Sequence, residues 1–218
     1  DELLNLIKKK LYSTGNFKNI EVSINNNNLL IELIENPRIN KIEFHNNERF
    51  KNAEIMDFYN QFVKSNTFNK IYIDEFVSNL KDFYKSFAYN QILIDYSIIE
   101  IENSNMINLD FNFDEGKISK IGKVNFIGND NFSKSDLNSV IVSKTKKNIL
   151  FFLKNNYKLH VVKQDINRLK IFYNNNGFKD TKVTFKTEYI SNKNKFNNFF
   201  FINEGIKYEF DNIDLLFE

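Results

Sequence analysis

The sequence predicts an α+β fold built from tandem βααββ modules. Each module is expected to be a three-stranded mixed sheet covered on one face by two helices. Three observations carry this. The chain repeats itself, each repeat alternates strand-type and helix-type periodicity, and one Pro and six Gly in 218 residues leave no room for flexible spacers. Lys41-Ile42-x-Phe44-x-x-Asn47-x-x-Phe50 recurs 82 residues later as Lys123-Val124-x-Phe126-x-x-Asn129-x-x-Phe132. Leu80-Lys81-x-Phe83-Tyr84 recurs 89 residues later as Leu169-Lys170-x-Phe172-Tyr173. At that second spacing Ala88-Tyr89 meets Gly177-Phe178, and Glu115-Gly116 meets Glu204-Gly205. The growth in spacing places an insertion near 143–160.

The later repeat is read first. Residues 121–127 alternate apolar and polar, as a strand does. Gly128-Asn129-Asp130 makes a turn, and Ser133 stands three residues before Asp136, the pattern of a capping box. The helix it opens carries Leu137, Val140 and Ile141. A second helix spans 161–176 with Ile166, Leu169, Ile171, Phe172 and Tyr173 as its apolar stripe. Gly177 suits the left-handed residue after it. Val183, Phe185, Thr187 and Tyr189 alternate along a strand, Ser191-Asn192-Lys193-Asn194 turns, and 196–202 forms the last strand. The earlier repeat reads the same way: strand 39–45, helices near 53–65 and 74–87, strands near 91–101 and 106–113.

A third, partial copy lies upstream. Leu11-Tyr12-Ser13-Thr14-Gly15-Asn16-Phe17 echoes the helix ending, Asn25 to Asn28 reads as a hairpin turn, and the second strand ends at Asn36-Pro37. Gly205…Phe210-x-x-Ile213 echoes Gly116…Ile121-x-x-Val124. The expected modules are therefore 1–37 (end of a first), 38–116 (second), 117–205 (third) and 206–218 (first strand of a fourth).

Composition narrows function. With no Cys there are no disulfides, thiolate metal sites or cysteine nucleophiles. No stretch approaches the roughly 20 apolar residues of a membrane-spanning helix. The 24 Phe answer the need of a small module for large core side chains. Lys, Asn, Ile and Phe are abundant throughout, so runs of Asn or Lys carry little weight. His45 and His160 are the only histidines, one at a strand end and one in the inserted loop. No motif joins them to other groups, so no catalytic residue, metal or cofactor is expected. Asp114-Glu115 reads as a solvated strand end rather than a carboxylate pair. The sequon Asn131-Phe132-Ser133 falls in a repeated turn and carries no meaning of its own.

The βααββ order, the Phe-Tyr…Gly-Phe helix ending and the closing Glu-Gly resemble POTRA (polypeptide-transport-associated) domains. The junctions around Asn36-Pro37-Arg38-Ile39 and from Phe113-Asp114-Glu115-Gly116 to Gly128-Asn129-x-x-Phe132 are similar to those in the periplasmic arm of outer-membrane β-barrel assembly factors. The resemblance covers essentially the whole chain. It implies a non-catalytic arm on the periplasmic side of the bacterial outer membrane. That arm receives unfolded outer-membrane protein clients, docks accessory assembly lipoproteins, and is attached to a C-terminal membrane barrel absent here. One departure stands out: Ala88 replaces the helix-ending glycine, so that helix is expected to end differently.

In this family the second strand of each module is the usual edge, about 20–24, 91–99 and 181–190 here. Clients would bind by adding a strand to it. The candidate site residues are Val183, Thr184, Phe185, Lys186 and Thr187 in the third module and Ile92, Ile94 and Tyr96 in the second. Phe151, Phe152 and Leu153 in the inserted loop read equally as a core filler or a contact surface. The Phe199-Phe200-Phe201 run reads as a strand in the middle of a sheet. Residues 38–116 hold 8 basic and 13 acidic side chains, a balance of −5, whereas 117–205 hold 17 and 6, a balance of +11. The basic third module suits an acidic partner or an anionic membrane surface. Two other readings share the composition: the POTRA region of another secretion or organellar import factor, and a nucleic-acid binder. Against the last, the aromatic residues fall at core positions, so no nucleic acid partner is expected.

Overall fold

The computed structural model describes residues 2–26, 28–145, 155–209 and 211. The elements in order are α1 (Glu2–Ser13), β1 (Phe17–Asn25), β2 (Asn28–Glu35), β3 (Arg38–His45), α2 (Asn52–Phe62), α3 (Lys70–Ser86), β4 (Leu93–Ile101), β5 (Met106–Asp114), β6 (Lys120–Ile127), α4 (Lys134–Val140), α5 (Leu159–Asn175), β7 (Lys182–Ile190) and β8 (Lys195–Asn203). The βααββ order thus occurs twice, behind an αββ piece. By compactness the chain divides into Asp1–Phe83 with Ile92–Gly116, and Tyr84–Gln91 with Lys117–Glu218. The inserted-loop residues Phe151, Phe152 and Leu153 lie outside the described residues, as does most of 206–218.

The two three-stranded sheets have the orders β3-β5-β4 and β6-β8-β7. The connections dictate this. A short hairpin, turned by Asn103 (φ +57°) or Asn194 (φ +46°), makes the last two strands antiparallel. The first strand reaches the sheet through two helices and so pairs parallel with the last. The last strand becomes the centre of the sheet. Its alternation fills the core: Ile107, Leu109, Phe111 and Phe113 in β5 are all buried. In β8 the middle position holds, but the Phe run splits. Phe200 is fully buried and stacks on Phe126 at 5.6 Å between ring centroids, whereas Phe199 and Phe201 point to the opposite face. Phe44 and Phe111 repeat that pair at 5.5 Å.

The helices follow their signals. Ser133 caps α4: its Oγ accepts from the N–H of Asp136, and the Asp136 carboxylate accepts from the N–H of Ser133 at 2.9 Å. The hydroxyl of Ser133 holds the Asp136 carboxyl below its ordinary range. On α5, Val162, Asp165, Leu169 and Tyr173 face the core, while Ile171, read as part of the stripe, is exposed. His160 belongs to the first turn of α5 rather than to the loop. Buried Asp165 ties down the chain after α4, accepting from the N–H groups of Val142 and Ser143 at 2.8 Å each and pairing with Arg168.

The expected difference at Ala88 is not found. Ala88 takes φ +75°, Gly177 takes +93° and Gly15 takes +72°. The closing bonds of α3, from Ala88 N–H to Lys85 and Tyr89 N–H to Tyr84, match those of α5, from Gly177 to Asn174 and Phe178 to Tyr173. The left-handed conformation costs alanine about 1–2 kcal/mol. Ala88 is fully buried, and a buried methyl contributes about 0.8 kcal/mol in return. The carbonyl of this left-handed residue is used in each copy. It accepts from Asn36 Nδ2 at Gly15 (2.9 Å), from Ser119 N–H at Ala88 (2.9 Å) and from Tyr208 N–H at Gly177 (2.8 Å).

The closing Glu-Gly also has a different role from the one expected. Glu115 and Glu204 are buried, not solvated. The Glu115 carboxylate accepts from the N–H of Arg49 at 3.0 Å through both oxygens. Glu204 accepts from the N–H of Asn131 at 3.2 and 3.3 Å, from the Asn131 side chain, and from the Tyr173 hydroxyl at 2.9 Å. Each glutamate thereby fastens the turn after the first strand to the end of the central one. Burial, and then Glu204, push the Tyr173 phenol far above its ordinary range.

Three outcomes follow for stability, all read by urea denaturation. Glu204→Ala strands donors that are worth about 1.5–3 kcal/mol each when bonded to a charged group, and is expected to cost about 3 kcal/mol. Gly177→Ala would put a Cβ 2.8 Å from the Tyr208 carbonyl oxygen at a positive φ and is expected to cost about 2 kcal/mol or more. Ala88→Gly, where strain relief and the lost methyl offset each other, should change stability by less than about 1 kcal/mol.

Candidate functional site

A sheet of three strands has two edges, and here they differ. The first-strand edge is partly occupied. In the earlier repeat Ile39 N–H donates to Asn66 (2.7 Å) and Phe68 N–H to Pro37 (2.8 Å), around the bridge Arg38–Thr67. In the later repeat Ile121 N–H donates to Asn155 (2.8 Å) and Tyr157 N–H to Ser119 (2.9 Å), around the bridge Lys120–Asn156. Both first strands also carry a register shift, between Ile39 and Lys41 and between Ile121 and Val124. Bulges and covering segments are devices that blunt an edge. Among the described residues no backbone hydrogen bond from outside the sheet reaches β4 or β7; the one further bond to β4 is from Ser104 in the hairpin turn. Each is nine residues long and paired on one side only.

The side chains of the candidate residues face mostly inward. Val183 is buried, and Phe185 and Thr187 are half-buried. Thr184, Lys186 and Glu188 are exposed. Tyr189 is on the inner side, 4.8 Å from the Phe196 ring, though more than a third open to solvent. Ile92, just before β4, and Ile94 within it are core residues. Tyr96 donates its hydroxyl to Asp74 of α3 at 2.9 Å, and Asp74 pairs with Lys70. The hydrogen bond from Lys70 holds the Asp74 carboxyl below its ordinary range, and burial followed by the Asp74 contact raises the Tyr96 phenol. What β4 and β7 offer along their free side is therefore backbone, with few side chains to read a sequence.

The outer faces of the two sheets differ at equivalent positions. Across the later sheet lie the rows Ile127–Phe201–Thr184 and Asn125–Phe199–Lys186. Ile127 and Phe201 are exposed, with exposed Lys123 on β6 and Lys182 on β7 in the same sheet. Across the earlier sheet the same rows are His45–Asn112–Asp95 and Glu43–Asp110–Ser97. His45 is thus not isolated. One ligand atom from each of Glu43, His45 and Asp110 lies within 4.8 Å of the others. Sequence reasoning missed this group because Asp110 reaches it from the central strand, far along the chain.

Residues 119–205 match the POTRA family, described as a surface antigen variable number repeat. The chain is 29% identical over 181 residues to outer membrane protein assembly factor BamA of Neisseria meningitidis serogroup B, covering 81% of this chain and 22% of that protein. It is 25% identical over 210 residues to BamA of Buchnera aphidicola, covering 94% of this chain and 34% of that protein. The chain therefore spans only 22% and 34% of the length of these relatives. A crystal structure of Haemophilus ducreyi BamA lacking POTRA domains 1–3 shares the fold, with a TM-score of 0.50, 17% identity, and coverage of 76% of this chain and 29% of that one.

Hydrogen exchange should read out the free edges. Along an edge strand alternate N–H groups have no partner, whereas a central strand pairs them all. Amides of β8 are expected to be protected throughout 196–202, and those of β7 to alternate between fast and slow from 183 to 189. Uniform protection along β7 would show that this edge is covered.

Proposed function

We propose that the chain is a tandem of POTRA modules and serves as the polypeptide-binding arm of an outer-membrane protein assembly factor, standing on the periplasmic side of that membrane. Its modules on this reading are 1–37 and 206–218 in part and 38–116 and 117–205 in full. It binds extended segments of unfolded outer-membrane proteins, and accessory assembly lipoproteins, by strand addition. It carries no catalytic step. The observation that supports this best is the asymmetry of the sheets: the first-strand edge is bulged and bridged, and the second-strand edge is long and open.

The energetics suit such a role. A client strand laid along β7 gains backbone hydrogen bonds of about 0.5–1.5 kcal/mol each, which accumulate into binding yet permit release. Backbone pairing discriminates little between sequences, so one edge serves many clients. The basic balance of 117–205 favours acidic clients or an anionic surface near the same edge, through exposed Lys182 and Lys186 on β7.

The test uses the chain and an extended peptide with the alternating apolar pattern of a barrel strand. Amide exchange first identifies which parity of β7 faces outward. Thr184→Pro or Thr187→Pro, whichever removes an outward N–H, is then introduced, with circular dichroism as the check on folding. Peptide-induced shifts in nuclear magnetic resonance spectra should map to β7, and the proline variant should weaken binding roughly tenfold, the loss of one to two hydrogen bonds. Lys186→Glu should have the smaller effect. A folded proline variant that binds as well as the parent would overturn strand addition at this edge.

A further inference from the structure

The outer face of the β3-β5-β4 sheet carries a group of side chains that strand addition does not use. Glu43 and His45 project from β3 on the same side, and Asp110 projects from β5 in register with Glu43. Ligand atoms from the three lie within 4.8 Å of one another. Asp110 Oδ1 is buried and has no hydrogen-bond partner among the described residues. A buried carboxylate oxygen without a donor costs free energy that a bound cation would recover. The fold itself does not call for these residue types. The matching positions of the later sheet are Asn125, Ile127 and Phe199, an amide, an aliphatic chain and an aromatic ring.

We propose that Glu43, His45 and Asp110 form a binding site for a divalent first-row transition-metal ion, with zinc as the natural probe. One imidazole nitrogen and two carboxylate oxygens are a donor set that zinc accepts, with water completing a tetrahedron. Ligands at about 2.0–2.2 Å from zinc stand about 3.4 Å apart in that geometry, so the group must contract. His45 is exposed and free to turn, and Glu43 has a flexible stem. The ammonium of Lys41 lies 2.8 Å from Glu43 Oε1 and holds that carboxyl below its ordinary range. Calcium and magnesium prefer all-oxygen shells, so the imidazole favours a transition metal over them. The site stands on the opposite face from the core and is independent of the polypeptide-binding reading.

The sequence makes the test clean, because it has two histidines and no cysteine. Zinc chloride is titrated into the whole chain, with a chromophoric zinc indicator for affinity and the two imidazole ring resonances for location. One equivalent is expected to bind, shifting the His45 ring and leaving His160 unmoved. His45→Ala and Asp110→Asn should each weaken zinc binding roughly tenfold or more, and His160→Ala should not. Since His45 is exposed, its variant keeps the fold whatever Asp110→Asn does. A loss smaller than about tenfold for His45→Ala, or movement of the His160 ring at the first equivalent, overturns the proposal.

Discussion

The carboxylates of Glu115 and Glu204 hold each module closed. Each sits just past its central strand and reaches back to an N–H in the turn after the first strand. In the later repeat the same carboxylate takes the hydroxyl of Tyr173 at the end of the second helix, so one buried charge joins three elements. A small module cannot bury enough apolar area to fix its loops by packing alone. A charged acceptor with several donors can do so, because leaving any of those donors buried and unpaired is costly. The glycine that follows each glutamate takes a positive φ, Gly116 at +59° and Gly205 at +72°, which turns the chain away from the strand so that the carboxylate can stay inside.

Fixing the last strand at the centre has a consequence for the edges. The two helices must cross from the first strand to the second, and the segment that enters the second helix runs back along the first strand, bridging it at Arg38–Thr67 and Lys120–Asn156. The same connection that builds the module therefore covers one edge and leaves the other open. An open edge of nine residues is normally a hazard. Here it is tempered by exposed Lys182, Lys186 and Glu188 on β7. Charged side chains on the outer face discourage pairing between copies, without removing the backbone groups that a client strand would use.

The fold was legible because its signals are local and repeated: alternation in strands, the Ser133–Asp136 cap, the Asn turns and the spacing of the Leu-x-x-Phe-Tyr helix ends. What stayed hidden depends on pairing across the chain. Nothing near Glu115 reveals that its carboxylate meets Arg49. Nothing near His45 reveals Asp110. Ala88 was misread because residue preference was taken for necessity: the bonds that close α3 and the burial of its methyl outweigh the strain of φ +75°. Asn198 shows the reverse. It stands where the earlier repeat has Leu109, fully buried, and neither atom of its amide has a partner among the described residues. No periodicity rule would place it there.

The repeats therefore separate what the architecture needs from what each copy adds. Phe44 and Phe126, Phe111 and Phe200, Leu80 and Leu169, and Tyr84 and Tyr173 keep the same buried places. The outer faces keep Lys41 with Lys123 and Asn108 with Asn197 but otherwise diverge: Glu43, His45 and Asp110 answer to Asn125, Ile127 and Phe199. A sheet face turned away from its helices contributes little to folding, so its residues are free to drift or to be shaped by contacts. Drift alone in one composition would give both faces similar chemistry. Instead one gathers carboxylates and an imidazole, and the other gathers phenylalanine and lysine, in line with the −5 and +11 balances of the two repeats. Two frames with equivalent open edges but opposite outer faces are suited to offer the same kind of backbone pairing beside different surroundings.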